Sequence, residues 1–121
     1  MNLPEELKYT KSHEWVRIQN GIVEIGLSDY AQEQLGDIVF VNLPKSGDSL
    51  SAGAPFADVE SVKAVSDIYS PMNGKVKEIN GELSTAPELI NKSPYTAWLI
   101  RGEGTVQESE LLSAAEYKAL L

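Results

Sequence analysis

There is no cysteine in this 121-residue chain. That excludes disulfides, a thiolate nucleophile and thiolate metal sites together. Histidine is nearly absent: His13 is the single one, so a multi-histidine metal centre is excluded and any histidine relay has one member only. Basic residues are scarce, 10 Lys and Arg against 18 Asp and Glu, for a formal net charge of -8. Nucleic-acid binding needs clustered lysine and arginine, and this balance argues against it. An acidic surface suits protein partners that present basic patches, although solubility alone would also account for the charge. No apolar run approaches the ~20 residues of a membrane-spanning helix, so no membrane partner is expected. The opening Met1-Asn2-Leu3-Pro4-Glu5-Glu6 has neither the basic-then-apolar order of a secretory signal nor the arginine-rich character of a transit peptide. A bacterial, cytoplasmic setting is the simplest expectation, with a mitochondrial protein stripped of its presequence as the alternative. No phosphate loop and no nucleophile–base pair stands in the sequence, so no catalytic residue and no metal ligand is expected.

What is present is a globular composition, 42% hydrophobic, at a length that suits one domain over residues 1–121. Short alternating segments dominate. Glu14-Trp15-Val16-Arg17-Ile18 alternates charged and apolar residues, Asn20-Gly21 supplies a hairpin turn, and Ile22 to Leu27 returns. Ser28 and Asp29 are N-cap residues and Gly36 a helix stop, which predicts a short helix over 28–35. Ile38-Val39-Phe40-Val41, a strand from Pro55 to Glu60, another from Ala64 to Tyr69, and Lys75 to Ile79 follow. Pro71-Met72-Asn73-Gly74 reads as a turn, Pro87 to Asn91 as one helical turn, and Trp98-Leu99-Ile100 as a late core strand. Ser113-Ala114-Ala115-Glu116 fits a capping box that opens a C-terminal helix over about 113–121. Frequent turns between short strands predict a mainly β fold, a small barrel or sandwich flanked by short helices.

Lys63 stands out inside Glu60-Ser61-Val62-Lys63-Ala64-Val65-Ser66-Asp67. Lying between small and β-branched residues, it has no evident packing role and suits a modification enzyme that needs one protruding amine. Taken alone it reads as a solvated surface lysine whose Glu60 neighbour is incidental. The turn at Ser61 to Ala64 lacks the Gly, Asn or Asp that tight hairpins favour, and propensity by itself places no hairpin there.

The chain resembles the H-protein family of the glycine cleavage system from Leu7 to Tyr117. The resemblance is carried by Ser12-His13-Glu14-Trp15-Val16, by Ser28-Asp29-Tyr30-Ala31-Gln32-Glu33-Gln34-Leu35-Gly36-Asp37-Ile38-Val39-Phe40-Val41, and by the segment from Glu60 to Asp67. Pro87-Glu88-Leu89-Ile90-Asn91 and Ser93-Pro94-Tyr95 complete five blocks in order. It implies a flattened barrel-sandwich hybrid of the lipoyl/biotinyl-carrier type, with the modified lysine at the tip of a hairpin over about 56–70. It further implies lipoate in amide linkage to Lys63, with Glu60 helping the lipoylating enzyme recognise the hairpin. Ser12, Glu14 and Asp67 would be the contacts of the loaded arm in a cleft of the carrier. The partners implied are glycine decarboxylase (P protein), aminomethyltransferase (T protein) and dihydrolipoyl dehydrogenase (L protein), together with a lipoate ligase or a lipoyl/octanoyltransferase. The chain would be their shuttling substrate, an aminomethyl carrier and not an enzyme. Absence of cysteine fits such a role, because the reactive sulfurs arrive with the cofactor and a native thiol would form mixed disulfides.

Set apart from the resemblance, Glu14 reads as a solvent-facing strand residue, and Glu60 as a surface carboxylate. His13, without a second histidine or a nucleophile, reads as structural or docking, and Trp15, Tyr69 and Trp98 as core and rim packing. One segment departs from the family: Pro94-Tyr95-Thr96-Ala97-Trp98 lacks the usual glycine and acid before the tryptophan. Rival readings are a biotin carrier, disfavoured because Val62 and Ala64 flank Lys63 where that family has methionines, an H-like lipoyl relay serving other enzymes, and an unmodified barrel-type binding module.

Overall fold

The computed structural model describes residues 1–121. Strands β1 (Lys8–Tyr9), β2 (Glu14–Gln19) and β3 (Ile22–Leu27) lead into helix α1 (Asp29–Leu35). Then come β4 (Ile38–Asn42), β5 (Ser49–Leu50), β6 (Pro55–Ser61), β7 (Val65–Tyr69) and β8 (Met72–Ile79). Two single-turn helices, α2 (Glu82–Thr85) and α3 (Leu89–Lys92), precede β9 (Ile100–Val106) and the closing helix α4 (Ala114–Lys118). The strands form a six-stranded antiparallel sheet in the order β1-β2-β3-β9-β8-β5 and a three-stranded one in the order β4-β6-β7. The fold is mainly β with short helices, as expected. Its two sheets face each other across the core and are not hydrogen-bonded into a closed barrel.

Local chemistry accounts for most boundaries. Asn20 and Gly21 both have positive φ, 52° and 78°, the pairing that a two-residue turn needs to match strand twist. Ser28 caps α1 by accepting from the Ala31 N–H, and Gly36 ends it. The capping box at Ser113 and Glu116 is formed in both directions. The helix it opens stops at Lys118, earlier than the expected 121, so Leu120 and Leu121 lie beyond it and are exposed while Tyr117 is buried.

The main core draws Val16, Val23, Ile25, Met72, Val76 and Ile100 from the six-stranded sheet and Val41, Val59 and Ile68 from the three-stranded one, with Leu99 just ahead of β9. Each side chain fully withdrawn from water stabilises by about 1.5–3 kcal/mol. A second cluster of Leu7, Tyr9, Trp15, Ala114 and Tyr117 fastens α4 onto β1 and β2, with the Tyr9 and Tyr117 rings stacked at 4.8 Å.

Two expectations are corrected here. The segment Pro71 to Gly74 is not a turn: β8 begins at Met72, and Gly74 is opposite Gly104 of β9. A Cβ on Gly74 would stand 2.0 Å from the Glu103 carbonyl oxygen, so only paired glycines let these strands approach so closely. The late strand likewise starts at Ile100 and runs on to Val106, leaving Trp98 and Leu99 in the approach to it. No helix is long and apolar enough to cross a membrane.

Candidate functional site

Lys63 lies exposed at the tip of the β6–β7 hairpin. The missing turn residue has a replacement in Ser61. Its Oγ accepts from the Lys63 and Ala64 N–H groups, each at 3.1 Å, and donates to the Ala64 carbonyl at 3.2 Å. A serine hydroxyl so placed closes the turn without positive φ, which none of residues 61–64 adopts. The tip is also anchored from outside, because the Val62 N–H donates to the Asp37 carbonyl at 3.1 Å. The aliphatic stem of Lys63 runs over Gly36, and its ammonium makes no salt bridge. Glu60 is half-buried on the outer face of the three-stranded sheet, in cross-strand register with Phe40 and Val65.

Glu14, the first residue of β2, is not solvent-facing: it is only 1% exposed. Its Oε1 accepts from Thr10 Oγ1 at 2.5 Å and Ser12 Oγ at 2.6 Å, and its Oε2 accepts from the Tyr69 N–H at 3.3 Å. Burial raises the affinity of this carboxyl for its proton, and the bonds from Ser12, Thr10 and the Tyr69 amide pull in the opposite direction. No lysine or arginine pairs with it. A buried carboxylate held by hydroxyls and an amide, with no counter-cation of its own, has the chemistry of a cation receptor.

Two clefts meet at Ser12. The larger, about 650 Å³, is bounded by Thr10, Ser12, Glu14, Tyr69 and Ser70, with Glu110 on its far wall. The smaller, about 230 Å³, lies between α1 and β7 and is lined by Ser12, Tyr30, Gln34, Ser66 and Asp67. Ser12 thus shares one cleft with Glu14 and the other with Asp67, whereas Asp67 does not line the Glu14 cleft, and Glu60 and Lys63 line neither. Leu35, next to the Gly36 that backs Lys63, lines the smaller cleft. Thr10 and Tyr69 are the members that sequence reasoning missed. For Thr10 a signal existed, a hydroxyl four residues before the carboxylate and two before Ser12. Tyr69 acts through its backbone and left none.

His13 is part of the frame around the site. It holds φ at 77°, uncommon for a side chain with a Cβ though less so for histidine. Its Nδ1 is 2.7 Å from the Tyr117 hydroxyl, which in turn meets Ser28 Oγ at 2.8 Å, and its ring tilts against Tyr30. Burial pushes the imidazole below its ordinary value and pushes Tyr117 up to about 12. Trp15 is fully buried and donates from Nε1 to the Pro94 carbonyl at 2.9 Å. In the atypical segment, the Thr96 and Ala97 N–H groups both return to the Ser93 carbonyl, a tight turn that buries Ala97.

Residues 7–121 match the family model described as glycine cleavage H-protein. The chain is 53% identical to the glycine cleavage system H protein of Halalkalibacterium halodurans, over 99% of this chain and 96% of that relative. It is 49% identical to the corresponding protein of Staphylococcus epidermidis, over 100% of this chain and 98% of the other. Among solved structures, the crystal structure of a glycine cleavage system H protein from Mycobacterium marinum superposes with a TM-score of 0.91 at 39% identity, covering 97% of each chain.

Proposed function

The chain belongs to the glycine cleavage H-protein family, and on that premise we propose that residues 1–121 form one lipoyl-carrier domain that carries lipoate on Lys63 in the bacterial cytoplasm. The carrier takes an aminomethyl group from the glycine decarboxylase (P protein) to the aminomethyltransferase (T protein), then presents the reduced arm to the dihydrolipoyl dehydrogenase (L protein). A lipoate ligase or lipoyl/octanoyltransferase installs the group. The protein is carrier and substrate throughout, and catalyses none of these steps.

One observation carries this reading: Glu14 is a buried carboxylate with no basic partner, open to a cleft on the side of the protein that Ser12 links to Asp67. The residues fit the group that the family implies. Lys63 offers an exposed, unpaired amine on a hairpin that needs no metal or thiol to form. When attached, lipoate would supply two sulfurs, one to hold the aminomethyl cargo and both, as the dithiol, to carry the electron pair onward. Glu14 then accepts from the cargo's ammonium, Ser12 and Thr10 hold that carboxylate in place, and Asp67 adds negative charge from the neighbouring cleft. A charge-assisted bond of this kind contributes about 1.5–3 kcal/mol, enough for roughly one to two decades of preference for loaded over empty arms. Glu60, outward-facing three residues before Lys63, is available to the lipoylating enzyme.

Intact-mass measurement of protein purified from its own host, with peptide mapping, tests the assignment. A single lipoyl amide on Lys63 supports it; biotin, or a bare lysine in cells whose other lipoyl proteins are fully modified, overturns it. Lys63→Arg is expected to fold normally and accept no lipoate, and retained glycine decarboxylation with this variant would count against the carrier role.

A further inference from the structure

Asn91, in α3, concentrates its side chain on the loop that joins α1 to β4. Its Oδ1 accepts from the Ile38 N–H at 2.9 Å, and its Nδ2 donates to the Gly36 carbonyl at 2.9 Å and to Gln32 Oε1 at 3.0 Å. Asp37 is therefore bracketed on both sides. That same residue's carbonyl accepts the Val62 N–H, and Gly36 backs the stem of Lys63. A continuous set of contacts leads from Asn91 through Gly36 and Asp37 to the hairpin tip.

The tip has little else to hold it. Val62 and Val65 are 66% and 64% exposed, and within the hairpin the turn relies on the Ser61 hydroxyl and one backbone bond. If the Asp37 carbonyl moved away, the Val62 amide would be left to solvent and the tip would sample many orientations. An enzyme that docks on it would then have to order those residues itself, at an entropic cost for each backbone position fixed.

We infer that Asn91 is a positioning residue for the modification of Lys63: by clasping Gly36 and Ile38 it sets the Asp37 carbonyl that anchors Val62, and so presents the lysine in one direction to the lipoylating enzyme. The inference rests on the carrier reading above. It predicts a particular kinetic signature. Ordering that is lost from the free carrier must be restored in every bound state alike, so the effect falls on KM and leaves kcat nearly untouched.

The test uses the full unmodified chain with lipoate, ATP and a purified bacterial lipoate ligase. Asn91→Ala is expected to raise KM about tenfold, the equivalent of about 1.4 kcal/mol, with kcat within roughly twofold of the parent. Hydrogen exchange at the Val62 amide should accelerate relative to that of Val59 in the core. Asn91→Asp keeps the acceptor for Ile38 but sets an acceptor against the Gly36 carbonyl in place of the donor, so it should raise KM in the same direction, and it carries the test if the alanine variant does not fold. Ile90→Val, a mild core truncation in the same helix turn, should leave KM at the parental value. Parental KM in both Asn91 variants, a loss confined to kcat, or an equal rise in Ile90→Val would overturn the inference while the parent is still modified. A parent that takes no lipoate at all would overturn the carrier reading, and this inference with it.

Discussion

Thr10 Oγ1 donates to Glu14 Oε1 at 2.5 Å, and the same oxygen accepts the Glu14 N–H at 3.0 Å. One hydroxyl therefore fixes both the carboxylate and the backbone that carries it. The Thr10 N–H closes the turn on the Glu14 carbonyl at 2.9 Å, so the acid is held in a position that its side chain alone would not keep.

Replacing Thr10 by alanine should remove the shorter of the two hydroxyl bonds to a buried acid. Glu14 should then hold its proton more tightly still, because one of the bonds that oppose the effect of burial is gone, leaving those from Ser12, the Tyr69 amide and its own backbone. The cost in stability is expected at about 1–3 kcal/mol near neutral pH. Carboxyl chemical shifts followed by NMR across a pH titration would detect the change, and Thr10→Ser should restore the parental curve.

For Glu14→Gln, normal lipoylation and a poorly protected cargo are expected. Loss of the charge-assisted contact, at about 1.5–3 kcal/mol, corresponds to roughly ten- to a hundredfold faster release of formaldehyde from the loaded arm. Equal release from variant and parent would remove Glu14 from the arm site.

His13 is the only histidine, so its titration can be followed without ambiguity. Burial places its folded-state pKa below the ordinary 6.5. The unfolded chain then binds the proton more readily than the folded one. Stability should be fully present above pH 6.5 and decline as pH falls through that value toward the folded pKa. His13→Asn, which tolerates the positive φ, should flatten this part of the profile in denaturant unfolding at stepped pH. An unchanged slope would show that other groups govern it.

Gly74→Ala should be severely destabilising. Its φ is +156° and the new Cβ would fall 2.0 Å from a backbone oxygen of the neighbouring strand, which cannot yield as a flexible side chain would. A loss of about 4 kcal/mol or more is expected in urea unfolding, and a shift below about 1 kcal/mol would refute this account of the β8–β9 pair.

Features closed by near neighbours were legible in the sequence. The Asn20-Gly21 hairpin, the Ser28 cap with its Gly36 stop, and the Ser113–Glu116 capping box each depend on groups within a few residues of one another. Strands β1 and β5, two residues each, gave no pattern to read. Gly74 and Gly104 hid the ends of β8 and β9, because glycine in isolation signals a turn and only the opposite strand reveals that it is making room.

The family blocks singled out Lys63, Glu14, Ser12 and Asp67, but the environment of these residues was not written beside them. Residue type determined that no thiol is available and that His13 has no second histidine beside it, whereas the place of Lys63 on a hairpin came from the family blocks and not from turn propensity. Tertiary structure decided that Glu14 is buried and meets Tyr69 from the other sheet, that Ser12 belongs to two clefts, and that the hairpin tip hangs on Asp37 under the clasp of Asn91. These contacts join residues 25 to 55 positions apart. Only the folded arrangement of the two sheets and the short helices brings them together, which local propensity does not encode.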